Sequence, residues 1–116
     1  MKLPQEIEIK KEKLFELCQK YNVLKLYVFG SVLSNSFNNE SDIDLIVELQ
    51  NFSPVEKGEN LMKLWSELEY LFLRKVDLLT NKNIKNPYLK KEIDKTKTLL
   101  YDRKGKKIFK PGTFIY

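Results

Sequence analysis

The stretch "SDIDLIVEL", Ser41 to Leu49, sets two aspartates into an otherwise apolar run. Successive side chains of a strand point to opposite faces, so Ile43, Leu45, Val47 and Leu49 share one side, and Asp42, Asp44, Ile46 and Glu48 the other. The first face suits a core. The second carries two carboxylates whose Cα atoms lie about 6.5 to 7 Å apart. Side by side and unpaired they repel each other and lose hydration, and a divalent cation between them would remove that repulsion.

Upstream, "LKLYVFG", Leu24 to Gly30, is dense in aromatic and apolar residues and stops at glycine, which predicts a buried strand. The Ser- and Asn-rich "SVLSNSFNN" between the two strands suits a turn of helix followed by a loop. From Pro4 to Tyr21, Leu14, Leu17, Cys18 and Tyr21 recur at spacings of three and four among Lys and Glu, the pattern of one amphipathic helix.

Downstream, a polar loop containing "NFSP" leads to a helix from about Glu59 to Leu73, with Leu61, Leu64, Trp65, Leu68, Leu71 and Phe72 as its apolar stripe. "RKVDLLT", Arg74 to Thr80, reads as a third strand with Asp77 in its interior, opposite in facing to Val76 and Leu78. Leu89, Ile93 and Leu100 predict a further helix from Pro87 to about Thr98. The predicted order is α, β, short α, β, α, β, α. It describes a small α/β (α+β) domain over residues 1–103, a mixed sheet of three to four strands with helices packed on it. Residues 104–116 form a basic and aromatic tail.

Composition narrows the chemistry. The 116 residues, 42% apolar, are enough for one ordinary domain. A net charge of +5 favours phosphate-bearing partners but falls short of a polycationic nucleic-acid tail. No apolar run approaches the roughly 20 residues that cross a bilayer. The lone Cys18 and the lack of a signal-like segment fit a reducing cytoplasm. With no histidine, any general base or metal ligand must be a carboxylate, the one thiol, a lysine or a tyrosine. Oxygen ligands favour hard cations such as Mg²⁺. If the third strand lies beside the second, Asp42, Asp44 and Asp77 share one patch of sheet fit for one or two such ions. Gly30 lets the backbone approach a ligand closely, and Ser31, opening a helical turn, offers its hydroxyl and N–H to an anion.

"FGS", ten residues, "SDIDLIVEL" and then "RKVDLLT" together resemble the minimal nucleotidyltransferases of the DNA polymerase β superfamily. The resemblance spans roughly Leu24 to Tyr101. It implies that Gly30 and Ser31 hold a nucleotide triphosphate and that Asp42 and Asp44 bind Mg²⁺, or Mn²⁺ in its place. It further implies that Asp77 completes the metal site and takes the proton of the attacking hydroxyl. The implied reaction is in-line attack on the α-phosphorus of ATP with loss of diphosphate, and no Walker-type lysine loop is needed or present. Many members follow Gly-Ser with a basic residue and close the short helix with Arg-Gly. Here Val32, Leu33, Ser34 and Asn35 stand in that stretch. Arg74 and Lys75 either supply the missing charge or form the solvated start of a strand.

Small stand-alone members of this family usually act with a helical HEPN-class RNase toxin, as its antitoxin in a hetero-oligomer. The implied function is transfer of AMP to a tyrosine of that toxin, adding charge and bulk to a site that must bind RNA phosphates. Two alternatives are an antitoxin that neutralises its toxin by contact alone, and a nucleotidyltransferase acting on RNA or a small molecule. Neither membrane association nor direct nucleic-acid binding is expected. In the tail, Phe109, Phe114 and Tyr116 would dock a partner, or Phe109 and Ile115 would complete the chain's own core.

Overall fold

The computed structural model describes residues 5–30, 41–50 and 53–104. Its elements are α1 (Gln5–Ile9), α2 (Lys11–Lys20), β1 (Val23–Phe29), β2 (Ile43–Leu49), α3 (Pro54–Phe72), β3 (Val76–Leu79), a 3₁₀ turn (Asn81–Asn83), α4 (Pro87–Thr96) and β4 (Thr98–Asp102). The four strands make one mixed sheet in the order β3-β2-β1-β4. β1 runs antiparallel to β2 and to β4, whereas β2 and β3 are parallel. Parallel neighbours cannot be joined by a tight hairpin, and α3 makes the crossover between them. The small α/β fold with a mixed sheet is as expected, and among the described residues the strands number four.

The expected single helix over Pro4–Tyr21 is broken at Lys10, which has φ −97° and ψ 12°. Lys10 Nζ donates to the Leu71 carbonyl at 2.6 Å. That carbonyl belongs to the last turn of α3, where no intrahelical donor remains, so a cation there satisfies it. α3 itself starts five residues before the expected Glu59. Ser53 caps it, its Oγ accepting from the Glu56 N–H at 3.3 Å, and Pro54 takes the first turn, where a missing N–H does no harm.

The largest correction concerns the end of the domain. α4 stops at Thr96, not near Thr98, and Thr98–Asp102 pairs with β1 as an edge strand. Leu100 lies seven residues after Ile93, which is two helical turns, yet a strand entering the core buries Leu100 equally well. The expected helical turn after Gly30 falls in residues 31–40, outside the described residues, as does the tail beyond Lys104.

Both faces of the sheet are covered. On one, Leu26, Val28, Ile43, Leu45, Val47, Val76 and Leu78 pack with Leu14, Phe15 and Cys18 of α2 and Leu64, Leu68 and Phe72 of α3. On the other, Ile46 joins Ile84 and Ile93 in a smaller cluster edged by Tyr27, Phe29 and Leu79. Ile46, expected on the polar face of its strand, is thus the floor of a second core beneath α4. Among the described residues, no helix is long and apolar enough to cross a membrane.

Candidate functional site

Three facts of backbone placement create the site. β1 ends at Phe29, which lies opposite Asp44 in the antiparallel ladder. Asp44 in turn lies opposite Asp77 in the parallel ladder between β2 and β3. Residues opposite one another in a ladder share a face, so Phe29, Asp44 and Asp77 form one row across three strands on the α4 side of the sheet. The sequence expectation that Asp77 would come beside Asp44 is met through this register.

Gly30 closes the row. Its φ of +75° is left-handed, a region L side chains rarely adopt. A Cβ there would collide with Asp44 Oδ2 and come within 3.4 Å of Asp44 Cγ. The close backbone approach inferred from the sequence is therefore an approach to the carboxylate itself. Ser31, the other expected nucleotide-binding residue, lies outside the described residues.

The electrostatics match the crowding. Burial above all, then the Asp77 charge and a hydrogen bond with Asp77, then the Asp42 charge, push the Asp44 carboxyl up to about 6 from an ordinary 3.8. Asp44 thus holds a proton more readily than an ordinary aspartate does, because burial and the neighbouring carboxylates both make its charge costly. Asp42 Oδ2 stands 4.0 Å from Lys75 Nζ, at the mouth of the site. Among the described residues, no three acidic or thiol side chains converge to ready-made metal-ligand spacing. The convergent unit is the Asp44–Asp77 pair, and Asp42 adds charge beside it. An oxygen-only donor set under mutual repulsion suits a hard divalent cation, which would take the place of the proton on Asp44.

Two other groups drop out of the site. Cys18 is fully buried in the large core, where burial pushes its thiol up to about 12, so it is neither a nucleophile nor a metal ligand at neutral pH. Arg74 is not a solvated strand start. Its guanidinium grips Glu6 of α1 through two hydrogen bonds, of 2.7 and 3.1 Å, and donates to the Ser41 carbonyl at 2.5 Å. It fastens the first helix, and the residue beside Asp42, to the entry of β3. That role was not legible in the sequence, because Glu6 and Arg74 are 68 positions apart. Lys75 is exposed and faces Asp42.

Comparison with known proteins agrees with this geometry. The family model described as polymerase beta nucleotidyltransferase matches residues 12–106. A Methanocaldococcus jannaschii protein named as a candidate protein adenylyltransferase is 38% identical over 95 residues, covering 81% of this chain and 94% of its own. A solved candidate minimal nucleotidyltransferase superposes with a TM-score of 0.66 at 22% identity, covering 80% of this chain and 91% of that one. A chain of a toxin–antitoxin structure with AMP-PNP gives 0.54 at 21% identity, over 82% and 75% of the two chains. A chain from the complex of tri-AMPylated Shewanella oneidensis HEPN toxin with its MNT antitoxin gives 0.50 at 21% identity, over 84% and 74%. A strand-end glycine, a carboxylate pair in register and a family match over most of the length lead to one statement: the chain belongs to the polymerase β nucleotidyltransferase family.

Proposed function

We propose that this protein is a Mg²⁺-dependent adenylyltransferase that transfers AMP from ATP to a tyrosine of a HEPN-class toxin, and so acts as that toxin's antitoxin. The observation that carries the proposal is the pairing of Asp44 with Asp77 in adjacent strands, one residue from the left-handed Gly30. Support for the acceptor comes from the relatives named as protein adenylyltransferases and from the fold shared with a chain of an AMPylated HEPN toxin complex.

The roles follow from position. Gly30, without a side chain, leaves its backbone open to the triphosphate, with Ser31 next to it. Asp44 and Asp77, with Asp42 beside them, would hold a divalent cation, which would offset negative charge on the α-phosphate and on the departing diphosphate. Asp77 receives the tyrosine hydroxyl proton as the new bond forms between tyrosine oxygen and the α-phosphorus. The bond from that phosphorus to the bridging oxygen breaks, and diphosphate leaves with the electron pair. Rate comes mostly from alignment and charge compensation, with little covalent work for the protein.

A binding-only antitoxin is the second reading, favoured by the lack of a basic residue in the Val32–Asn35 stretch. The two readings separate when the protein is incubated with the HEPN toxin, Mg²⁺ and ATP labelled at the α-phosphate. Transfer predicts label on the toxin that Asp77→Asn abolishes while the two proteins still copurify. Tight copurification with no label from the wild type supports the binding-only reading.

A further inference from the structure

The β1–β4 register brings a cation to the carboxylate face that the sequence motif does not supply. Val28 lies opposite Thr98 and Tyr27 opposite Leu99. Lys97, the C-cap of α4, immediately precedes Thr98, and one further step of this antiparallel register would set it beside Phe29, at the end of the row that runs through Asp44 to Asp77. Two strand spacings, about 10 Å, separate its backbone from that of Asp44. Gly30 follows Phe29 directly.

Lys97 is also held there. Its backbone is extended, with φ −59° and ψ 142°, and its N–H caps α4 by donating to the Ile93 carbonyl at 2.8 Å. The ammonium lies over the Tyr27 ring, 4.4 Å from its centroid, and 3.1 Å from Asp94 Oδ1. Tyr27 borders the smaller apolar cluster on that face and lies opposite Ile46, so the ammonium rests one row away from Phe29 and Asp44. The side chain is only 23% exposed, whereas the lysines of the other ion pairs are 45% exposed or more. Asp94 is shared: Lys90 Nζ approaches its other oxygen at 3.6 Å. Two ammonium groups thus meet one carboxylate, which leaves a net positive charge beside Tyr27, one row from the carboxylates.

We propose that Lys97 is the phosphate-binding cation of this site, meeting the β- and γ-phosphates of a nucleoside triphosphate seated at Gly30. The inference rests on the adenylyltransferase reading above and deepens it. A lysine over an aromatic ring with one shared carboxylate is oriented but not charge-satisfied, and a polyphosphate gives it the stronger partner. Its place just before the edge strand lets it supply the positive charge that the sequence after Gly-Ser lacks.

Calorimetry with Mg²⁺ tests this, with ATP and AMP as probes against wild type, Lys97→Met, Lys97→Arg and Asp94→Asn. Lys97→Met should weaken ATP about tenfold or more and leave AMP, which lacks the outer phosphates, within about twofold. Lys97→Arg should recover most of the loss. Asp94→Asn, which removes the competing carboxylate, should tighten ATP, an outcome that does not depend on the Met variant folding well. Unchanged ATP affinity in Lys97→Met, or a parallel loss of ATP and AMP together with a lowered melting temperature, would overturn the assignment and leave the wider reading standing on wild-type ATP binding. Wild-type protein that binds no ATP would remove both.

Discussion

At Gly30 two demands meet in one residue. The chain must turn through φ +75° at the end of β1, and the space a Cβ would fill is occupied by Asp44. Gly30→Ala should therefore cost about 2 kcal/mol, more than the conformational penalty alone, with the excess relieved when Asp44 is also replaced by Ala. A denaturant-midpoint double-mutant cycle checks this, and strict additivity would mean that the two residues do not touch. Asp44 itself makes a second prediction, in chelator. Its carboxyl titrates near 6 in the fold against an ordinary 3.8. Between those values the native state holds a proton that the unfolded chain has released, so this group's contribution to stability falls as pH rises through the window. Asp44→Asn removes the penalty. Because the carboxyl is half in water, the gain at pH 7 to 8 is on the order of 1 kcal/mol, and it should vanish at pH 4 or below. Melting curves at the two pH values decide it, since a variant less stable than wild type at pH 7 would make Asp44 a structural residue. The aspartates were legible because a strand alternates and carboxylates are costly to place beside one another. Arg74 was not, since its partners Glu6 and Ser41 come from elsewhere in the chain. Its side chain is only 9% exposed, so Arg74→Met should cost about 2 kcal/mol by stranding Glu6, without changing nucleotide affinity. Chemical denaturation beside ATP titration separates this structural role from the phosphate-facing one.

At the scale of elements, strands β1, β2 and β3 lie within two residues of where periodicity puts them, because each pairs alternation with a clear stop at glycine or a polar turn. The misplaced boundaries have local causes. The start of α3 carried the signal Ser53-Pro54-Val55-Glu56, a capping serine with a glutamate three residues on, hidden inside a stretch read as loop because it contains proline. Ser53→Ala should lower stability by about 1 kcal/mol through loss of the cap, measurable by thermal unfolding. β4 was missed for a different reason. Its four neighbouring residues Thr98, Leu99, Leu100 and Tyr101 have no alternation to read, since Leu100 and Tyr101 are both buried beside a register shift opposite Leu26 and Tyr27. Leu100→Ala should cost about 3 kcal/mol, as expected for a leucine inside a packed core and not at a frayed helix end. Phe15 of α2, ring to ring with Tyr101 at 5.8 Å, is the contact that ties this last strand to the first helices.

For the molecule as a whole, the sheet has a division of labour that no single element shows. One face is packed throughout by α1, α2 and α3. The other is packed at its middle by Ile84 and Ile93 over Ile46, while one row toward the start of β2 it carries Asp44 and Asp77. That arrangement places acidic groups at the margin of a small core, where burial raises their charge cost yet leaves them open to a ligand. The family could be read from three separated motifs. The register that sets Asp44 beside Asp77, and the edge strand that pairs with β1, depend on long-range pairing that local periodicity does not encode. In the proposed function, the Asp44–Asp77 pair serves the transfer of AMP to a protein acceptor. Mass spectrometry of the HEPN toxin after incubation with ATP, Mg²⁺ and this protein measures it directly. An AMP adduct should appear on a toxin tyrosine with wild type and be absent with Asp44→Asn or Asp77→Asn, each variant still binding the toxin. An unmodified toxin held tightly by the wild-type protein, or the same adduct from the Asp77→Asn variant, would contradict it.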